Sequence, residues 1–298
     1  MLPVLKGGVL VVGDVMEDII VRPDGPMVRG SDVTAEIHTL PGGSGANQAM
    51  WLARLGVPVS FMARVGADDL PRYEKLFEQR GVTPLLRGDP VRGTGRLVTL
   101  LDNDGERSFF SDRGANLALD AGDLTPHMLT GIGLVHISGY SFFAPGPRAA
   151  MRELMALAGA AGIPVSVDPA STGFLASAGA SEFLGWTQGA AMLFPNHEEA
   201  AFLAGTDDPA MQMKMLGAHY DFVVMKRGAM GAIAGGGEGI VASAAALEIK
   251  AVDSTGAGDA FLAGFVAARR EGADMQACLI AGNAAGAKAA SRLGGQPA

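Results

Sequence analysis

The chain has 298 residues, 48% hydrophobic and 18% charged, the balance of a folded protein with one large domain or two small ones. A net charge of −8 without a basic run argues against nucleic acid as the main partner, and a single cysteine, Cys278, excludes an internal disulfide framework. No apolar stretch reaches the ~18 residues of a membrane span, and the opening segment lacks a cleavage pattern, so a cytoplasmic protein without membrane contact is expected.

The first element in the chain is "GVLVVGD" (8–14), a short apolar run closed by glycine and acid. Similar runs recur at "GLVHISG" (133–139), "IPVSVDP" (163–169), "AMLFPN" (191–196) and "FVVMKRG" (222–228). Continuous runs of this length read as strands buried on both faces, as in a parallel sheet. Between them, residues 147–162 place Met151, Leu154, Met155 and Ala158 on one helical face. Residues 259–270 repeat the pattern with Phe261, Leu262, Phe265 and Val266. Alternating strand and helix predicts a doubly wound α/β sheet, with ligands beyond the carboxyl ends of its strands.

Residues 15–40 and 91–113 break the alternation. Both are strand-like but more polar, as in "GRLVTLLDNDGERSFFSDRG", where "NDGE" (103–106) is a hairpin signal. Together they read either as a small second sheet, a lid over the main layer, or as surface hairpins without function.

Several common enzyme signatures are missing. The sequence has no G-x-x-x-x-G-K-[ST] loop, no G-x-G-x-x-G after the first strand, no H-E-x-x-H and no G-x-S-x-G. Three glycine-rich segments remain. In "PGGSGANQAMWLARLG" (41–56), Asn47 offers donor and acceptor to a hydroxyl, although the segment also reads as a tight start to a helix. "MKRGAMGAI" (225–233) runs from strand into glycine turn and would also serve as a plain hairpin.

The third segment, "VDSTGAGDAF" (252–261), lies between a strand-like "LEIKAVD" and a helix. The amides of Gly256, Ala257 and Gly258 at such a helix start suit phosphoryl oxygens. Asp259, favoured as an anion by the helix dipole, is expected to stay ionised and to accept a proton from a nearby hydroxyl. An acid and an anion site on one turn are what hydroxyl-to-phosphate transfer requires.

With both "PGGSGANQA" and "DSTGAGDAF" in order, the chain resembles the ribokinase-like (phosphofructokinase-B) family of sugar and nucleoside kinases from about residue 9 onward. The resemblance implies a single kinase domain over 1–298: a three-layer α/β/α sandwich with a mainly parallel central sheet and a small β-sheet lid. It implies ATP and Mg²⁺ as cofactors, in some members K⁺, a sugar or nucleoside acceptor, and a homodimer through the lid strands. By position, Asp259 matches the catalytic base and Gly256, Ala257 and Gly258 the anion hole. Asp18, Gly42, Gly43 and Asn47 match sugar contacts. Asn196 and Glu199 of "NHEE" match the motif that places hydrated Mg²⁺ and phosphates. Lys226, Gly228 and Asn283 fall in the nucleotide site. Asp253, with carbonyls near Thr255, Ala289 and Gly294, falls where some members hold a monovalent cation.

The departures concern the acceptor. Ribokinases proper carry Asn at the position of Met16 and Lys at that of Ser44; both changes remove polar reach toward a small sugar and look more like adenosine kinases. Met16 either packs on the acceptor or fills the lid edge. Arg113 in "SDRGAN" either binds an acceptor carboxylate or phosphate or pairs near Asp112 on the surface. The expected activity is phosphoryl transfer to a primary hydroxyl of a small carbohydrate, with a nucleoside kinase as alternative. A non-enzymatic sugar- or nucleotide-binding regulator is the reading from a different class, and retention of Asp259 argues against it.

Overall fold

Alternate residues of the first strand enter opposite cores, and this sets a helical layer on each side of the sheet. The computed structural model describes residues 4–26, 29–101 and 107–297. The chain runs β1 (Gly8–Val12), β2 (Met16–Pro23), β3 (Ala35–Gly42), α1 (Ser44–Arg54), β4 (Val59–Gly66), α2 (Leu70–Gln79) and β5 (Val82–Asp89). It continues through β6 (Gly95–Leu101), β7 (Arg107–Asp112), β8 (Ile132–Ser138), α3 (Pro145–Ala160), β9 (Val165–Asp168), α4 (Thr172–Ala178) and α5 (Ala180–Trp186). The last third holds β10 (Met192–Leu193), α6 (His197–Ala204), α7 (Pro209–Leu216), β11 (Phe222–Lys226), β12 (Ala232–Gly236), β13 (Gly239–Ala244), α8 (Ala257–Arg270) and α9 (Met275–Ala290).

The nine-stranded sheet has the order β13-β12-β11-β10-β9-β8-β1-β4-β5. From β11 to β5 neighbouring strands are parallel, while β12 and β13 are antiparallel additions at one edge. Val9 and Val11 pack with Met50, Trp51, Phe261 and Phe265 of α1 and α8. Leu10 and Val12 face Met151, Leu154 and Phe183 of α3 and α5. The α/β/α sandwich read from the sequence is thus the observed architecture.

Residues 15–40 and 91–113 form a separate four-stranded sheet of order β3-β2-β6-β7. The outer pairs are antiparallel, and β2 and β6 pair in parallel across the middle. The expected "NDGE" turn falls outside the described residues.

Two expected strands differ. "AMLFPN" contributes only Met192–Leu193, because Pro195 has no N–H for a ladder; pairing resumes as a single Asn196–Lys226 bridge. "LEIKAVD" is not a strand. Its apolar residues alternate, but Leu247, Ile249 and Val252 are exposed, and the segment leaves the sheet after edge strand β13.

Because the central strands are parallel, Asp14, Tyr140, Asp168, Asn196 and Lys226 all follow or close strand carboxyl ends on one edge of the sheet. Phe265 anchors α8 beneath that edge: it is fully buried and meets Phe194 edge-on, ring centres 5.4 Å apart. Phe265→Ala is expected to destabilise the fold by about 3–5 kcal/mol, read as a lower midpoint in denaturant titration.

Candidate active site

Helix α8 begins at Gly256, whose φ of +72° lies in the left-handed region; a Cβ there would also run into Gly295. Three residues on, the Asp259 carboxylate meets the start of α1. It accepts hydrogen bonds from Ser44 Oγ (2.8 Å) and Asn47 Nδ2 (3.1 Å). Gln48 Nε2 in turn donates to Ser44 Oγ at 3.1 Å, which directs the serine proton toward Asp259. The two glycine-rich segments, 215 residues apart at Ser44 and Asp259, form one site. Ser44, which the sequence places among the acceptor contacts with less polar reach than a lysine, donates to this carboxylate.

Two expectations at this turn need correction. Asp259 is not simply held as an anion: burial, and next the charge of Asp168, push its pKa up to about 7 against the hydrogen bonds from Ser44 and Asn47. The cost of dehydrating the carboxylate is the largest cause. Of the three amides expected to form an anion hole, Ala257 N–H is already bonded to the Ser254 carbonyl at 3.2 Å. Those of Gly256 and Gly258 have no protein acceptor among the described residues.

On the side of the small sheet, Asp18 stands on strand β2 and packs against Gly42 of β3, where any Cβ would overlap the carboxylate. Its Oδ1 is buried without a hydrogen-bond partner, as is Oδ1 of Asn47. Burial first, then Asp14, Asp253 and Asp259, push the Asp18 pKa up to about 7. Gly43 precedes α1, and Asp14 accepts weak bonds from the amides of Ser44 and Gly45 (3.3 Å each) and one from Ser138 Oγ (3.2 Å). Met16 is buried at the junction of the two sheets, where Asn116 Nδ2 approaches its Sδ at 3.4 Å. The same amide donates to the carbonyls of Val15 and Arg113.

On the other side, Lys226 Nζ makes an ion pair with Asp168 Oδ2 at 2.6 Å and lies 3.3 Å from where a Cβ on Gly258 would stand. Burial works to lower the Lys226 pKa, but Asp168 and Glu199 outweigh it and hold the ammonium above its ordinary value. Asn196 and Glu199 cap α6 reciprocally, each side chain accepting from the other's amide at 2.8 Å. Glu199 is pushed up to about 7, by burial and then by Asp168. Gly228 lies in the turn after β11, and Asn283 tethers α9 to the carbonyls of Ala244 and Ala245. Asp253 braces its loop: Oδ1 accepts from the amide and hydroxyl of Thr255, and Oδ2 from the Gly294 amide. A monovalent cation would therefore meet a carboxylate engaged on both oxygens.

Sequence reading missed Asp168, Asp14, Gln48, Asn116 and Tyr140 as site residues. The first two were visible as acids closing strand-like runs. Arg113 does not pair with Asp112; it reaches the loop after β8, where Nη1 donates to the Tyr140 carbonyl at 2.8 Å.

Comparison with known proteins accords with this geometry. The model of the "pfkB family carbohydrate kinase" matches residues 6–298. The chain belongs to this family. It is accordingly an ATP-dependent carbohydrate kinase, a phosphotransferase with an alcohol acceptor. A fructokinase of Klebsiella pneumoniae is 31% identical over 276 residues, covering 88% of this chain and 84% of the other. An ATP-dependent ribose-1-phosphate kinase of Halopiger xanaduensis is 31% identical over 299 residues, covering 97% and 94%. Among solved structures, a ribokinase of Thermotoga maritima superposes with a TM-score of 0.82 at 26% identity, covering 98% of this chain and 96% of that one.

The three raised acids give opposite pH trends for stability and activity. Asp18, Asp259 and Glu199 have folded-state pKa values near 7, against about 4 when unfolded. The folded state therefore binds more protons between these values. The stability they contribute is present below about pH 4 and is lost as pH rises through about 7. The thermal midpoint of the ligand-free kinase is expected to fall between about pH 5 and pH 8, while kcat/KM is expected to rise if Asp259 is the group that must be ionised. Parallel melts and initial rates check both signs; a midpoint that climbed over this interval would contradict the buried-acid account.

Proposed function

We propose that this kinase transfers the γ-phosphoryl group of ATP to a hydroxymethyl group of a small carbohydrate, with Asp259 as general base. The observation that carries the reading is the Asp259 carboxylate, oriented by Ser44 and Asn47 beside the unbonded amides of Gly256 and Gly258. The acceptor oxygen attacks the γ-phosphorus as its proton passes to Asp259, and the bond from that phosphorus to the bridging oxygen breaks to leave ADP. Gly256 and Gly258 N–H groups, with Lys226 Nζ close to Gly258, stabilise charge on the equatorial oxygens. Gly228 and Asn283 line the nucleotide, and Asn196 holds the start of α6 toward the phosphates.

Mg²⁺ fits this site as an ion held mainly by water and phosphate oxygens. Glu199 and Asp168 are hard oxygen donors with charge in excess of Lys226, and no three His, Cys, Asp or Glu groups converge as a cage among the described residues. When bound, Mg²⁺ neutralises phosphate charge.

The unpartnered buried Oδ1 atoms of Asp18 and Asn47 favour an acceptor that presents hydroxyl donors to them, as a sugar ring does. The small sheet covers the acceptor as a lid and excludes water from the reaction. Its face away from the site leaves Ile37 and Phe110 more than half exposed, which favours a homodimer through the lid. We place the kinase in the cytoplasm; no helix among the described residues is long and apolar enough to cross a membrane.

Asp259→Asn is expected to lower kcat by about 10²–10⁴-fold with little change in ATP binding. Coupled ADP-release assays over pentoses, hexoses, sugar acids and nucleosides measure this, and near-normal turnover would remove Asp259 from the mechanism. Ile37→Glu is expected to shift the sedimentation coefficient from dimer to monomer; an unchanged value would place any dimer contact elsewhere.

A further inference from the structure

Arg113 is a cation to which the described residues offer no anion. Other arginines near the junction of the two sheets have one: Arg64 meets Asp123 at 2.8 Å, and Arg72 meets Glu17 at 2.6 Å. Arg113 has no carboxylate within ion-pair distance among the described residues, and the neighbouring Asp112 accepts from the Gly114 amide instead. Its guanidinium bonds to the Tyr140 carbonyl and lies 5.3 Å from the centre of the Tyr140 ring and 5.9 Å from that of Phe174. These two rings are themselves packed edge to face at 5.3 Å. The chain thus holds the guanidinium through one N–H and its aromatic neighbours, leaving the rest of its donor fork for another partner.

The position of that fork is set by the fold. The Arg113 carbonyl accepts from Asn116 Nδ2, the amide that also touches Met16, two residues from Asp18. The head group crosses from the base of the small sheet to the loop after β8. There the Tyr140 phenol is pushed above its usual range by burial and then by the charges of Asp14, Asp259 and Asp168. Arg113 therefore stands on a wall of the same acidic cleft. Asp18 and Asp259 would repel an anion at their end, so an anionic acceptor enters with its charge toward Arg113 and its hydroxyl toward Asp259.

Building on the kinase reading above, we propose that the acceptor carries a carboxylate or phosphate remote from the hydroxyl that is phosphorylated, and that Arg113 binds this group. Arg113 is thereby the residue that selects an anionic sugar over a neutral one.

Matched acceptors test this: ribose, ribonate and ribose 1-phosphate, with glucose, gluconate and glucose 1-phosphate, each assayed for ADP release. At least one charged member should exceed its neutral counterpart by about 100-fold in kcat/KM; whether ribonate or ribose 1-phosphate leads identifies the anion. Arg113→Met should erase that preference chiefly through acceptor KM, with ATP KM unmoved, and Arg113→Lys should restore part of it. Preference for the neutral sugars, or equal losses on charged and neutral acceptors in Arg113→Met, overturns the proposal. Calorimetry with the same compounds separates it from the kinase reading. Charge-dependent binding without turnover, lost in Arg113→Met, supports Arg113 and refutes phosphoryl transfer; binding indifferent to charge, or none across the panel, refutes the Arg113 assignment.

Discussion

The hydrogen bonds that Ser44 and Asn47 give to Asp259 join the starts of two helices from opposite ends of the chain. Helix α1 follows the small sheet, and α8 follows the last strand of the large one. Both point their amide-rich ends at one spot, so their partial positive charges favour the same anions. The Asp259 carboxylate lies in that field, as would the phosphoryl group in the proposed transfer. The left-handed turn at Gly256 and the close passage of Gly295 fix where α8 begins, and thereby where the Asp259 carboxylate stands.

Around this junction the fold gathers more negative charge than it neutralises. Asp14, Asp18, Asp168, Glu199 and Asp259 act on one another's titration or on that of groups beside them, and Lys226 is the ammonium among them. Such crowding disfavours the ligand-free state and favours whatever brings positive charge or hydroxyl donors. It also keeps Asp259 near the pKa at which a carboxylate is an effective proton acceptor at neutral pH. The stability lost here is offset by two cores on either side of the sheet, where Phe61, Phe77, Phe183 and Phe265 are fully buried.

Much of this architecture was legible because buried parallel strands announce themselves as unbroken apolar runs, as in β1, β8, β9 and β11. The helix carrying Phe261 and Phe265 was equally plain from its spacing. Where the signal rested on alternation alone it misled: Leu247 and Ile249 imitate a strand but have no sheet to join. The pairing of β2 with β6 could not be read, since each looks like half of a local hairpin and their contact is long-range. The same holds at the site. Asp259 and Asn47 stood out through their glycine-rich surroundings, whereas the Asp168–Lys226 pair spans 58 residues with no local motif to connect them. The ionisation of Asp259 was misjudged because a sequence shows a helix start but not the water excluded from it.

Only Gly13, Asp14 and Val15 separate core strand β1 from β2. Asp14 stays with the core, bonded to the start of α1, while Asp18 rides on the small sheet. The short link thus ties the place of Asp18 to a point held within the large sheet. With the small sheet as the proposed lid, a rotation about this link would move Asp18 with it, so that drawing the acceptor into place and shutting out solvent would be a single stroke.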